Sequence, residues 1–140
     1  MITALCEGCS IRSTVRMTGV AKGTILRLLA EVGTACAEYQ DITLRNIGAR
    51  RVQVDEIWSF VGAKQKNVTP AMLEKKLCGD AWTFVAIEAD TKLVISWLVG
   101  RRDAGTATEF LQDVQSRLVN RIQLTTDGHR MYLNAVVDAF

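Results

Sequence analysis

The chain contains one histidine and one proline, 6% aromatic residues and no long apolar run, and each scarcity narrows its function. No stretch approaches the roughly 20 apolar residues of a membrane span. The first apolar patch is broken by Glu7 and no basic residue precedes it, which excludes a secretory signal. A cytoplasmic location with no membrane partner is therefore expected. Structural zinc normally draws on two closely spaced ligand pairs. Cys6 and Cys9 have C-x-x-C spacing, but Cys36 and Cys78 stand alone and the lone His129 is far away. Four reduced thiols are the expectation.

At 140 residues, with 49% hydrophobic and 23% charged residues, the chain has the composition of one globular domain, or one domain with a small appendage. A net charge of +2 identifies no partner. Its distribution says more. Residues 1–51 hold 7 Lys/Arg against 4 Asp/Glu, and residues 52–140 hold 10 against 11. A basic front joined to a more acidic rear suits a nucleic-acid reader attached to a metal enzyme.

Residues 10–32 predict two helices around a tight turn. Ser10 can cap the first, which shows Ile11 and Val15 on one face. Gly19 in Thr18-Gly19-Val20 is free to take a positive φ. Ile25, Leu28, Leu29 and Val32 form an i, i+3, i+4, i+7 stripe on the second helix. Arg12, Arg16, Lys22, Thr24 and Arg27 fall outside that stripe. The spacing resembles a helix-turn-helix, whose second helix enters the DNA major groove. A plain helical hairpin with solvated basic residues shares the pattern. Residues 34–50 read as a connecting helix and linker.

The period then changes. Arg51 to Val61 is rich in β-branched and aromatic residues. Alternation puts Gln53, Asp55, Ile57 and Ser59 on one face, and Val52, Val54, Glu56 and Trp58 on the other. Residues 63–80 form a polar excursion holding Pro70. Its Lys64, Lys66, Lys75 and Lys76 suit either a solvated loop or a DNA backbone contact. Ala81–Ala89 and Leu93–Val99 predict a hairpin turning at Asp90-Thr91-Lys92, with Glu88 a strand-end charge. Thr106–Val119 predicts a helix, with Thr106 and Glu109 at capping-box spacing. A short strand, Arg121–Thr126, delivers Asp127, and a helix begins near His129. The order strand, strand, strand, helix, strand, helix predicts a mixed α/β sheet with its site at strand edges.

Aspartates on separate strands are suited to phosphodiester chemistry. Two metal ions about 3.5–4 Å apart can stabilise the attacking and leaving oxygens, and magnesium prefers carboxylate ligands. Asp55, in mid-strand beside Ile57, is costly to bury without a cation, which makes it a ligand candidate. Asp127 is the second candidate, although Asp-Gly is also a turn signature.

Val54-Asp55-Glu56-Ile57-Trp58-Ser59-Phe60, followed by Ala63-Lys64 and Lys66-Asn67-Val68, resembles the first catalytic block of bacterial insertion-sequence-one-type transposases. Trp82–Ile87, Ser96–Gly100 with Arg102-Asp103, and Thr125–His129 with Tyr132-Leu133 resemble further blocks in the same order. The resemblance implies an RNase H-like mixed sheet over 51–140, preceded by a helix-turn-helix segment at 1–33. It implies a DDE mechanism with Mg2+ or Mn2+, in which Asp55 and Asp127 are catalytic metal ligands. It also implies binding to the terminal inverted repeats and target of double-stranded DNA, and self-association. The catalytic glutamate of the family would lie beyond Phe140, so a C-terminally incomplete site is expected. Transposition by a complete enzyme, or a non-catalytic DNA-binding remnant that represses it, are the two functions this pattern supports.

Overall fold

In a computed structural model, residues 1–74, 78–128 and 130–140 are described, and they form two compact units, Met1–Thr43 and Leu44–Phe140. Among the described residues no helix is long and apolar enough to cross a membrane.

The first unit contains α1 (Ile2–Cys6), α2 (Ile11–Thr18) and α3 (Lys22–Thr43). Ser10 caps α2 by accepting from the Ser13 amide at 3.1 Å. Gly19 ends it in the left-handed region, φ 69°, as the turn requires. Ile25 is fully buried, whereas Leu29 of the expected stripe is 46% exposed. Thr14 is also fully buried, and its hydroxyl donates to the Ser10 carbonyl at 3.1 Å, so its burial leaves no unmade hydrogen bond. Two elements differ from expectation. α1 precedes the expected pair, and the second helix does not stop at Val32 but runs unbroken to Thr43. Gly33 is a helix-weakening residue of about 1 kcal/mol, not a stop.

The second unit is built on a four-stranded mixed sheet in the order β3-β2-β1-β4. β1 (Arg51–Val61) pairs antiparallel with β2 (Gly79–Glu88), and β2 pairs antiparallel with β3 (Val94–Gly100). β4 (Gln123–Thr125) lies parallel to β1. α5 (Ala104–Arg117) and α6 (Met131–Ala139) complete the core. A 3-10 turn (Gln65–Asn67) and α4 (Pro70–Leu73), with Pro70 in its first turn, punctuate the excursion after β1. Lys75, Lys76 and His129 lie outside the described residues.

The core is what alternation along β1 requires. Val52 and Val54 are buried with Phe84, Ala86 and Ile95 of the neighbouring strands, and Phe110, Leu111 and Val114 of α5 pack on them. Phe84 and Phe110 rings lie 5.6 Å apart. Each fully buried side chain of this size contributes roughly 1.5–3 kcal/mol. The opposite face of the sheet is open, with Ile57, Trp97 and Val99 exposed.

Two polar details fix the edges. Glu88 is buried and closes the hairpin: its Oε2 accepts from the Asp90 amide (3.0 Å), the Thr91 amide (2.6 Å) and the Thr91 hydroxyl (2.7 Å). These bonds, led by the Thr91 amide, hold the Glu88 carboxyl below its usual range. α5 begins two residues earlier than expected, and its cap is Asp103, which accepts from the Thr106 amide at 2.9 Å. Thr106 is thus inside the helix, and the apparent capping box with Glu109 is not the N-terminus.

Candidate metal centre

The parallel register of β1 and β4 creates the site. Gln53 is opposite Thr125, and two residues further along each chain come Asp55 and Asp127. The two aspartates therefore line one open cleft of about 510 Å³, with Gln53, Ile57, Val85 and Thr125. Gly128 follows at φ 84°, and its amide donates to the Thr126 hydroxyl at 3.1 Å. Asp127 thus carries the site carboxylate, and the glycine after it takes the left-handed backbone that the Asp-Gly pair favours.

Asp55 is exposed, as is Ile57, so the argument that Asp55 is buried at a cost does not hold. Its place on the uncovered face of the sheet is what makes it available. One of its carboxylate oxygens accepts from the Glu56 amide at 2.8 Å.

A third carboxylate joins them. Single oxygens of Asp55, Glu56 and Asp127 lie within 4.8 Å of one another, the one such group of three among the described residues. Glu56 differs from the other two in environment. It projects to the helix-covered side, where its side chain is only 1% exposed. Arg102, in the β3–α5 loop, donates to Glu56 Oε2 from Nε at 3.0 Å, and its Nη2 lies 2.9 Å from the same oxygen in an ion pair. The Tyr132 hydroxyl of α6 donates to Oε1. Burial, the bond to Glu56 and the negative charges of Glu56, Asp127 and Asp55 together push the Tyr132 hydroxyl above its usual range. It stays a donor. Arg102 also reaches Asp127 Oδ2 at 3.5 Å and lies 4.7 Å from the centre of the Trp82 ring.

This donor set consists of carboxylate oxygens, which suits a hard cation such as Mg2+ or Mn2+ better than a thiolate- or imidazole-seeking metal. Asp55 and Asp127 would hold it. Glu56 has both oxygens engaged by protein donors, so it anchors β1 to the β3–α5 loop and to α6.

Sequence reasoning named Asp55 and Asp127 but missed Glu56, Arg102 and Tyr132. The available signal was Glu56 itself. A carboxylate placed by alternation beside Val52 and Val54 must be paired when buried.

Arg12, Arg16, Lys22, Thr24 and Arg27 all lie in the first unit, and all are exposed. Arg12 and Arg16 are one turn apart on α2, where Arg16 donates to Ser13 Oγ at 3.0 Å. Lys22, Thr24 and Arg27 occupy the first turns of α3. The four cysteines are free thiols. No protein-family model matches the chain, and no curated protein matches it in sequence.

Proposed function

We propose that the chain supplies the first two catalytic carboxylates of a DDE-type transposase, on an RNase H-like sheet, with a helix-turn-helix unit that binds the element's terminal repeats. One observation carries the reading: the parallel β1–β4 pairing that sets Asp55 and Asp127 on one open cleft. Bound Mg2+ or Mn2+ would offset phosphate charge and activate a water or 3′-hydroxyl. Asp55 and Asp127 provide the ligand oxygens from rigid strands. Arg102 and Tyr132 hold Glu56, and through it β1, at fixed depth. The exposed cations of α2 and α3 supply phosphate and base-edge contacts to duplex DNA. The protein acts in the cytoplasm, on nucleoid DNA, as a homo-oligomer.

The test is nicking of supercoiled DNA in Mg2+ or Mn2+ by the complete enzyme with its third carboxylate, run beside calorimetric titration of this chain with Mn2+ alone. Asp55→Asn and Asp127→Asn should each abolish cleavage and weaken Mn2+ binding. Unchanged cleavage in either variant removes that residue from the site.

The engagement of both Glu56 oxygens favours a second reading, a DNA-binding repressor of transposition that does not cleave. In that case salt-sensitive duplex binding survives Asp55→Asn and weakens in Lys22→Ala and Arg27→Ala. Wild-type affinity in both basic variants would reject the helix-turn-helix assignment.

A further inference from the structure

Along the covered face of β1, alternation continues past Val52, Val54 and Glu56 to Trp58 and Phe60. The helical cover does not follow. Trp58 is 40% exposed and Phe60 47% exposed, and their rings lie 5.7 Å apart. Trp82 stands directly opposite Trp58 in the β1–β2 register, which puts both on the same face. The Lys64 ammonium lies 5.0 Å from the centre of the Trp58 ring and 6.0 Å from that of Phe60. Lys64 and Lys66 also line a cleft shared with Trp58, Gln65 and Asp80. Asp80, the acidic group lining that cleft, accepts from the Gln65 amide at 2.9 Å.

Here two of the chain's few aromatics are roughly half open and flanked by ammonium groups. Open π-faces beside cations complement a ligand that presents flat bases on a polyanionic backbone with the bases unpaired. A duplex offers the phosphates but hides the base faces in its stack. We propose that Trp58 and Phe60, with Lys64 and Lys66, form a stacking site for single-stranded DNA.

The location fits that occupant. Trp58 is three residues from Asp55, about 10 Å along the strand. The two side chains are on opposite faces of β1, but β1 pairs with β4 only as far as Gln53. On that side the strand beyond Gln53 has no β4 partner, so rings and cleft lie near one another at the same strand. The choice of DNA rests on the proposed function; the stacking chemistry does not.

Anisotropy of a labelled short oligothymidylate, read with tryptophan emission of the full chain, tests the site. Binding should quench the emission. Trp58→Ala should weaken affinity by about ten- to a hundred-fold, the range for losing one stacked base, whereas Trp58→Phe should retain most of it. Lys64→Gln should lower the slope of log affinity against log salt by about 0.7, one phosphate contact. If Trp58→Ala shifts the thermal midpoint, Lys64→Gln and Trp58→Phe decide. Wild-type affinity in both Trp58→Ala and Lys64→Gln would overturn the proposal, as would equal binding of a matching duplex without quenching. If the wild-type chain fails to bind Mn2+ yet quenches on oligothymidylate, the metal reading falls and the stacking site stands.

Discussion

At the scale of single residues, the Arg102–Glu56–Tyr132 chain decides how the acidic cleft is held. Glu56 is a nearly dry carboxylate, and a charge in that position is tolerable only while its partners remain. Tyr132→Phe removes one hydrogen bond to it and should cost about 1.5–3 kcal/mol in the unfolding of the second unit, measured by denaturant titration. Arg102→Ala leaves the carboxylate without its cation. The loss should be roughly 2–3 kcal/mol, below the range for fully buried pairs because the Arg102 side chain is 32% exposed. The double variant should fall short of the sum, since both groups serve one carboxylate. Additive losses would mean that the two contacts are independent.

At the scale of elements, caps and cross-links set the response to mutation and to acid. Ser10→Ala removes the α2 cap and should destabilise the first unit by about 1 kcal/mol, leaving the second unchanged. Asp113 ties α5 to β3: its Oδ2 accepts from Ser96 Oγ and from Arg117 Nε, the latter at 2.7 Å. Burial raises the Asp113 carboxyl, but the bonds from Arg117 and Ser96 outweigh it and leave the group below its usual range. Asp103, held by Thr106, and Glu88 are shifted the same way. Carboxylates depressed in the folded state stabilise it above their unfolded values and lose that contribution as pH falls through the folded ones. The thermal midpoint should therefore be flat near neutrality and drop below about pH 4. Asp113→Asn should lower the neutral plateau and make the acid slope shallower, which circular dichroism melts would show. Much of this layer was legible beforehand. β1, the Gly19 turn and the Ser10 cap follow from local chemistry. The true start of α5 did not, because Thr106 and Glu109 imitate a cap that Asp103 provides. The length of α3 was missed because residues 34–50 were read as a separate connecting helix and linker, whereas the helix continues unbroken to Thr43. The third carboxylate was hidden for another reason: only tertiary packing shows that Glu56 meets Arg102 and Tyr132.

At the scale of the whole molecule, the two units are unequal. Residues 1–43 bury only Thr14 and Ile25, whereas the second unit has a continuous core from Ala49 to Ala135. Native-state hydrogen exchange should show α2 and α3 amides opening at lower free energy than those of β1 and β2. Phe110→Ala should cost the second unit about 3–5 kcal/mol and leave exchange in the first unit unaltered. A matched slowing or acceleration in both units would mean that they unfold together.

The short parallel pairing of β1 with β4 also has a consequence in time. Residues 55 and 127 meet only when the ribosome has delivered almost the entire second unit, so this long-range contact forms late. The α2–α3 unit emerges first, with its Ser10 cap and Gly19 turn made within it. A nascent or prematurely released chain thus carries the basic helices without an assembled acidic cleft.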